Sequence, residues 1–441
     1  MASASTRCAS SSRLGIRYAD FVPTPPSRRS TDERTDDPKR VPPSGRGGAL
    51  AALALAVVLA MAPWFSAAAV LPQLRQYWEL STAQGAWLTL AVQLGFVAGA
   101  LASAVFGLAD RVAPRRLMTW GALIAAVSNV LLLVATPDTA LGWRALTGAA
   151  LALVYPPALK AMSAWFVTGR GVALGVLVGA LTLGSALPHL VNGLGGVEWR
   201  VVVVCTSALA VLGSVVAARV PVGPYSFPVA VFRPREALGV LLTPAMRLTT
   251  LGYLGHMWEL YAMWAWFALY FTDVLRRNGF GANVSSLAAY ATFLVIAVGA
   301  LGCVVGGVLG DRWGRTRLTS LAMLLSGACA LTLSALGSAS LPLVLAVSLV
   351  WGFWIIADSA QFSTIASEIA DARFVGTALT LQLALGFSLT AVTIAAVGVW
   401  QPLVGWRPVL AFLAIGPLLG AVAMWRLGRR PEAKRIAGGI G

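Results

Sequence analysis

Charged residues are scarce in this chain. They make up 11% of its 441 residues, whereas hydrophobic residues make up 58%. A soluble globular protein would carry about a quarter charged residues. The composition therefore excludes an ordinary soluble enzyme or binding domain, and the repeated long apolar runs predict a protein that crosses the membrane many times.

Histidine and cysteine are also rare, which limits the chemistry that the chain can perform. The only two histidines are His189 and His256, and no HExxH motif is present, so a histidine-based zinc site is excluded. Three of the four cysteines lie inside apolar runs, where they are best interpreted as small buried side chains. We expect no redox chemistry, no metal and no cofactor.

Motifs of hydrolases and ATP-driven pumps are missing as well. The sequence has neither GxSxG nor the phosphate-binding GxxxxGK[ST]. An intramembrane aspartyl hydrolase needs two neighbouring aspartates, and Asp358 has no evident partner of its kind in the apolar segments. These absences predict that the chain is not an enzyme.

Basic residues outnumber acidic ones, with 33 Lys and Arg against 17 Asp and Glu. Such an excess could indicate nucleic-acid binding, but no recognised nucleic-acid motif accompanies it. The excess instead follows the loops, because Lys and Arg are concentrated on the side of the N-terminal tail. By the positive-inside rule, both termini are predicted to be cytoplasmic.

Twelve largely apolar segments, each of roughly 20 residues or more, are long enough to cross the membrane. Backbone polar groups in lipid must pair within the segment, so segments of this length are helices. The sequence thus predicts an all-α membrane protein with twelve transmembrane helices. The segments span residues 49–73, 82–109, 116–136, 140–166, 171–194, 199–219, 246–272, 285–310, 317–337, 342–369, 375–400 and 406–427.

The remaining stretches divide the chain into domains. Residues 1–47 are rich in Ser, Arg, Pro and Asp, which predicts a disordered, basic cytoplasmic tail. Residues 220–245 contain five prolines and are predicted to form a cytoplasmic linker between two six-helix bundles, at 48–219 and 246–427. Residues 428–441 form a second cytoplasmic tail.

The two halves of the chain echo each other at three ordered positions. The matching pairs, all at an offset of about 200 residues, are Asp110-Arg111 with Asp311-Arg312, Gly171 with Gly376, and Trp199-Arg200 with Trp406-Arg407. Three collinear matches predict duplicated halves of parallel topology.

The loop after the eighth segment carries the most specific motif, which runs Gly307-Val-Leu-Gly-Asp311-Arg312-Trp-Gly314-Arg315-Thr-Arg317. This motif resembles the loop signature of the major facilitator superfamily, and the likeness covers residues 49–427. The resemblance implies a bacterial-type transporter of the inner membrane, built from two pseudo-symmetric six-helix bundles. The subfamily is not assigned.

The resemblance also implies that these loops act as gates. The candidate gate residues are Gly307, Asp311, Arg312, Gly314 and Arg315, with Asp110 and Arg111 in the first half. An aspartate beside helix ends can accept amide hydrogen bonds and pair with a neighbouring arginine. Plain positive-inside anchoring stays open, above all for the first loop, where Ala113 replaces the second glycine.

Glycines spaced four apart mark one face of two segments. The two sets are Gly171, Gly175 and Gly179 in the fifth segment, and Gly302, Gly306 and Gly310 in the eighth. This spacing allows close helix approach. The two sets could form the interface between halves, as the resemblance implies, or could pack helices within one half.

Ionisable residues deep inside the segments are few, namely Arg144 and Lys160 in the fourth, His256 and Glu259 in the seventh, and Asp358 in the tenth. Such residues are costly in lipid and usually face a cavity. The resemblance implies that segments 1, 4, 7 and 10 line the central cavity. A spacing of three puts His256 and Glu259 on one helical face.

Depth assigns roles to these side chains. Glu259 and Asp358 lie near mid-span and are the best candidates for proton coupling, with His256 as a third group that can change charge near neutral pH. Arg144 resembles a family signature linked to proton coupling. Lys160 could attract the solute or extend to the cytoplasmic surface. By contrast, Glu368 is expected to be solvated at the end of the tenth segment.

Four further residues are candidates to line the cavity. They are Tyr155, Trp258, Tyr261 and Gln361. Aromatic and amide side chains at helical spacing can equally pack or bridge helices.

These observations favour a proton-coupled secondary transporter of a small solute. A mixed-charge cavity suits a small anion, so we expect the solute to be one. A multidrug efflux antiporter of the same fold and a solute sensor without transport remain open. The expected partners are a small-molecule substrate, protons and the lipid bilayer, with no nucleic acid, and a monomer is favoured.

Overall fold

A computed structural model describes residues 45–166, 169–194, 198–225, 234–281, 283–336, 340–370 and 375–441, without the side chains of 109–110 and 234–237. Every regular element in these ranges is helical. Nearly all of the predicted N-terminal tail and the middle of the predicted linker lie outside the described residues.

The first half of the chain forms ten α-helices and one 3-10 turn, at Leu131–Val134. The helices are α1 (Arg46–Met61), α2 (Ser66–Ala69), α3 (Leu71–Tyr77), α4 (Thr82–Val105), α5 (Leu108–Arg111), α6 (Pro114–Val130), α7 (Pro137–Leu151), α8 (Tyr155–Ser163), α9 (Arg170–Gly193) and α10 (Trp199–Ala218).

The second half forms eight α-helices and a C-terminal 3-10 segment at Pro431–Gly439. The helices are α11 (Pro234–Leu241), α12 (Pro244–Arg277), α13 (Val284–Trp313), α14 (Arg315–Leu336), α15 (Leu341–Ala357), α16 (Ser359–Ile369), α17 (Val375–Val404) and α18 (Trp406–Gly428).

Ten helices in the described part of the chain, some made of two consecutive elements, are long and apolar enough to cross a membrane. They coincide with every predicted segment except the first and the seventh. The first segment is interrupted, so that α1 has only 16 residues. The seventh forms α12, which has 34 residues but is less apolar than the ten because of its Trp, Tyr and charged side chains.

Three of the predicted segments are broken near their middle. The first bends at Pro63, whose ring removes a backbone donor. The fourth stops at Leu151 and restarts as α8, where Pro156 and Pro157 occupy the first turn. The tenth breaks at Asp358, between α15 and α16. Each break leaves carbonyl groups that need partners from elsewhere in the structure.

The helices alternate in direction, which gives the structure two ends. At the basic end, α9, α12, α14 and α17 begin and α13, α16 and α18 end, so that Arg170, Arg315 and Arg426 lie there. At the opposite end, Gln73 donates to Asn192 across 3.3 Å, and Trp406 Nε1 donates to Asp273 across 2.8 Å.

The two glycine sets have different partners. A Cβ atom on Gly175 or Gly179 would meet backbone atoms of α13, so the first set forms the seam between the two halves of the chain. Gly302 and Gly306 instead face the carbonyl groups of Phe353 and Ala357 in α15. The second set therefore packs helices within the second half.

Candidate functional site

A cavity of about 50 Å³ lies between the two halves of the chain, where α8, α9, α12, α16 and α17 meet. Aliphatic, methionine and phenylalanine side chains make up most of its wall. The hydroxyl groups in the wall belong to Tyr155, Tyr253, Tyr261, Ser359 and Ser363. Among the described residues, no charged side chain lines it. A cavity of this volume has room for only a few water molecules. It is much smaller than the roughly 300–1,000 Å³ that a drug-sized ligand needs.

A buried acid–base pair lies beside this cavity, next to residues of its wall. His256 Nδ1 and Asp358 Oδ1 are 2.9 Å apart, and both side chains are at most 2% exposed. Their chain neighbours Met257 and Ser359 line the cavity. Within the described part of the chain, His256 Nε2 and Asp358 Oδ1 lack an aligned hydrogen-bond partner. The pair therefore keeps hydrogen-bonding capacity for a proton or water.

Glu259 is placed away from the cavity. Its Oε1 accepts a hydrogen bond of 2.7 Å from Trp351 Nε1 on α15. The face of α12 that lines the cavity carries Met257, Leu260 and Tyr261. At about 100° per residue, Glu259 points well away from that face. Neither Glu259 nor His256 lines the cavity, so the expectation that their common helical face forms its wall is corrected.

An aromatic layer closes the space beside the cavity. Its members, all buried, are Trp64, Phe65, Phe96, Tyr261, Trp264 and Phe387. The Trp64 ring lies 5.9 Å from Tyr261 and 5.8 Å from Phe387, both of which line the cavity. The layer thus joins side chains from both halves of the chain and separates the cavity from the polar groups around Arg144.

Arg144 is fully buried and holds the break in the first segment. Its Nη1 donates to the Pro63 carbonyl at 3.0 Å, its Nη2 donates to the Trp64 carbonyl at 2.5 Å, and its Nε donates to the Leu88 carbonyl at 3.1 Å. These carbonyls belong to the broken segment and to α4. Arg144 therefore supplies the donors that the bend at Pro63 removes.

Neutral polar side chains complete this network. Ser66 Oγ and Asn129 Oδ1 each accept from Arg144 Nη1 at 3.1 Å. Asn129 Nδ2 in turn donates to Thr206 and Ser207 of α10. In the described part of the chain, no carboxylate pairs with Arg144, so its charge is balanced only by dipoles.

The remaining predicted residues lie elsewhere. Lys160 is half-buried in the last turn of α8 and does not line the cavity. Trp258, predicted to line the cavity, faces α18 and donates to the Phe412 carbonyl at 3.0 Å. Gln361, also predicted there, bonds to Arg315. Both predictions are wrong, because helical rotation turns Trp258 toward α18 and turns Gln361 toward α13, where its Nε2 donates to the Gly306 carbonyl at 3.2 Å.

A cluster of charged and polar side chains lies at the basic end. Arg315 is only 6% exposed. Its guanidinium group contacts Asp311 at 2.9 Å, Glu368 at 3.2 Å and Gln361 at 2.8 Å. We call Asp311, Arg315, Gln361 and Glu368 the loop cluster. Its central cation is Arg315, whereas Arg312 is exposed.

The loop cluster touches the first half of the chain. A Cβ atom added to Gly171, in the first turn of α9, would lie 2.5 Å from both carboxylate oxygens of Asp311. A Cβ on Gly307 would lie 2.6 Å from the Gly171 carbonyl. The unpaired amides and positive dipole of a helix N-terminus favour a nearby carboxylate. Both glycines are needed here for close approach.

The corresponding loop of the first half has another course. The left-handed residue is Gly107, at φ 60°, and Ala113 is extended at φ −55°. Arg111 is exposed, and no ion pair to it occurs in the part of the chain that the structure describes. The side chain of Asp110, a predicted gate residue, lies outside the described part.

The family model of the Major Facilitator Superfamily matches residues 53–395. The chain belongs to this superfamily. Membership makes it an integral membrane transporter. No curated protein matches the sequence.

Two residues of this superfamily member escaped the sequence interpretation. Glu368 was expected in solvent, yet it pairs with Arg315 and accepts from the Ala437 amide at 3.0 Å. His189 is fully buried in α9, and neither ring nitrogen has a partner among the described residues. A carboxylate in the last turn of a segment, next to an arginine-rich loop, was the available signal for Glu368.

Metal binding has no support in the described part of this transporter. No three His, Cys, Asp or Glu side chains there are close enough to hold an ion.

Proposed function

We propose that this chain is a secondary active transporter that moves a small solute by proton-coupled alternating access. In this proposal residues 48–219 and 246–427 form two six-helix bundles joined by a linker at 220–245. The stretch from α1 to α3 is the first span and α12 is the seventh. Both termini and the basic end face the cytoplasm, and the membrane is the bacterial inner membrane.

The observation that carries the proposal is the buried His256–Asp358 contact of 2.9 Å next to the cavity. As an imidazolium and a carboxylate, or as two neutral groups, the pair has no net charge. One additional proton gives the pair a net positive charge. Since a net charge is costly in buried surroundings, protonation favours a conformation that brings water to the pair.

Two closures alternate in this mechanism. The loop cluster and its contact with Gly171 close the basic end. The aromatic layer closes the path from the cavity toward the opposite end. We infer that each closure opens only while the other holds, as the halves move against each other along the α9–α13 seam.

A small anion is the solute class that we favour. Arg144 is buried and has no carboxylate partner among the described residues. Because the protein interior has a low dielectric constant, the positive charge of Arg144 acts over several ångströms. Only the aromatic layer separates it from the cavity. An anion entering when this layer parts would offset the charge.

One observation favours a second solute class. The cavity wall is mainly apolar and aromatic, and its polar groups are hydroxyls. Such a wall also suits a lipophilic solute, as in multidrug efflux. The two classes differ in the charge of the compounds that bind.

The first experiment is thermal unfolding of the purified protein with small anions and, separately, with lipophilic cations. A ligand that binds only the folded protein stabilises it by RT ln(1 + [L]/Kd). Stabilisation by anions supports the favoured class, and stabilisation by unrelated lipophilic cations replaces it with efflux.

The second experiment tests proton coupling in proteoliposomes with the solute found first. Asp358→Asn should keep solute exchange between equal compartments but lose accumulation driven by a pH gradient. Asp138→Asn, an exposed carboxylate at the start of α7, is the control and should accumulate solute normally. If Asp358→Asn still accumulates solute in response to the pH gradient, Asp358 does not couple transport to protons.

Glu259 is a second candidate for coupling. Glu259→Gln keeps an oxygen that can accept from Trp351 Nε1. Normal accumulation in this variant means that Glu259 is structural, whereas loss of accumulation with retained exchange makes it part of the proton path.

A further inference from the structure

The outer face of the α12–α18 seam contains a groove that the transport proposal does not use. Its wide part, at the basic end, has a volume of about 560 Å³. A second part of about 410 Å³ continues along the seam. The two parts share Leu248, Leu251 and Arg426, so they form one continuous feature, which we call the seam groove.

The wide part is strongly basic. Four arginines line it, Arg247 from α12 and Arg426, Arg429 and Arg430 from the end of α18. The Arg429 guanidinium stacks on Trp425, with its carbon 3.5 Å from the ring centroid. Arg430 lies 3.4 Å from Glu432. In the described part of the chain, no carboxylate pairs with Arg247, Arg426 or Arg429, so a positive charge remains unbalanced there.

The narrow part is apolar. Its wall includes Leu254, Trp258, Ile415 and Leu419. Gly255 and Gly416 lie at the base of the groove and let α12 and α18 approach closely. A Cβ atom on Gly416 would collide with Trp258. Leu251 is 53% exposed and Leu419 is 67% exposed, so the groove opens to the surroundings of the protein.

The length of the groove matches one lipid leaflet. From Arg247 to Trp258 the helix rises about 16 Å, at 1.5 Å per residue. Half of a hydrocarbon core of about 30 Å is about 15 Å. The arginines therefore lie at the depth of the headgroups while the narrow part spans the acyl region, with tryptophan at the boundary as in membrane-interface belts.

We propose that the seam groove binds one anionic phospholipid, with its phosphate among Arg247, Arg426 and Arg429 and an acyl chain along Leu251 and Leu419. Charge complementarity selects the headgroup, because basic pockets between transmembrane helices on the cytoplasmic side attract anionic lipids. A soluble anion would use only the wide part. The continuous apolar floor requires a chain attached to the phosphate.

The inference rests on the membrane placement of the chain and not on its solute or its coupling ion. The experiment therefore measures lipid binding and never transport. Delipidated, purified full-length protein is mixed with dioleoylphosphatidylglycerol, with dioleoylphosphatidylcholine and with glycerol 3-phosphate in separate samples. Native mass spectrometry counts the bound lipid, and thermal unfolding gives the affinity.

Phosphatidylglycerol should bind at one molecule per chain and raise the unfolding temperature more than phosphatidylcholine with the same acyl chains. The triple variant Arg247→Gln/Arg426→Gln/Arg429→Gln should bind it about a hundredfold more weakly, since each arginine near an anionic headgroup contributes about a fivefold effect. The variant's circular dichroism and elution volume show whether it is folded. If it is unfolded, Arg426→Gln alone should bind about fivefold more weakly.

The matched control removes the same charge at the same end of the protein. Arg116→Gln/Arg219→Gln/Arg317→Gln changes three exposed arginines outside the groove and should leave lipid binding unchanged. Equal loss in this control would make the effect general charge attraction and overturn the site. Equal stabilisation by phosphatidylcholine, or full stabilisation by glycerol 3-phosphate, would overturn it as well, the first through the headgroup and the second through the acyl chain.

Discussion

The two loops that share the Asp-Arg motif differ at the fourth position after the aspartate. In the second half, Arg315 is buried and joins Asp311, Glu368 and Gln361. In the first half, at the same offset from the motif, the residue is Pro114, and its neighbour Arg115 is exposed. A single substitution therefore removes the central cation of the cluster.

The backbone differs for a related reason. Gly314, with φ 99° and ψ 139°, joins α13 directly to α14 in a conformation that side chains disfavour. Ala113 occupies the matching position at φ −55°, an ordinary value for any residue. The first loop makes its left-handed turn six residues earlier, at Gly107, and inserts the short α5. The shared motif thus predicts where each loop lies in the chain. Whether the loop joins its two helices directly depends on a glycine at the position of Gly314.

The largest expected difference between the loops concerns their arginines. Arg315→Ala leaves two carboxylates without their cation. Breaking a fully buried pair costs about 3–5 kcal/mol, and because Asp311 and Glu368 are partly exposed we expect about 2–3 kcal/mol. Arg115→Ala should change the free energy of unfolding by less than about 0.5 kcal/mol. Denaturant unfolding in detergent measures both, and equal losses would mean that the loops are equivalent.

The second test exchanges the residues at the turn. Gly314→Ala forces a side chain into a glycine conformation and toward the Gly441 carbonyl, which should destabilise by about 1–3 kcal/mol. The converse change Ala113→Gly should cost less than about 1 kcal/mol. Unfolding temperatures of the pair decide the question. A tolerant Gly314 would show that the direct α13–α14 connection is not required.

The third test concerns the contact of each loop with the opposite half. Gly171→Ala places a methyl group against the Asp311 carboxylate and should loosen the basic end, lowering solute uptake several-fold. Gly376→Ala changes the matching position at the start of α17, where the glycine is exposed, and should have little effect. Uptake in proteoliposomes and thiol labelling of Ser163→Cys at the basic end report the two effects. Similar uptake in both variants contradicts a gate at Gly171.

The smallest effects are expected at the motif arginines themselves. Arg312 and Arg111 are both exposed. Arg312→Gln and Arg111→Gln should each change the unfolding free energy by less than about 0.5 kcal/mol. If Arg312→Gln alone lowers the unfolding free energy by more than about 0.5 kcal/mol, Arg312 belongs to the loop cluster.

Composition predicted most of the helices because long apolar runs have few alternatives in lipid. Ten of the twelve segments coincide with membrane-length helices. The break at Asp358 could not be predicted, since no proline marks it. The carbonyls next to the break contact Cys303 and Gly306 of α13, and these contacts are known only from the structure. The break at Pro63 had a local signal, but its stabilising partner, Arg144, lies 81 residues away.

The site was harder to predict than the fold because rotation about each helix axis is set by packing. Tyr155 and Tyr261, expected in the cavity wall, do line the cavity. Trp258, three residues before Tyr261, faces the seam groove instead. Spacing along one helix defines which residues share a face. It does not define which neighbour that face meets.

The bond from Arg144 to the Trp64 carbonyl has a consequence for biosynthesis. When the first segment leaves the ribosome, this carbonyl lacks its donor, because Arg144 has not been made. At about 5–20 residues per second, the 80 residues from Trp64 to Arg144 take about 4–16 s. Until then the bend has only local hydrogen bonds, such as the one from Ser66 Oγ to the Pro63 carbonyl. The bend gains its central donor only when the fourth segment is made.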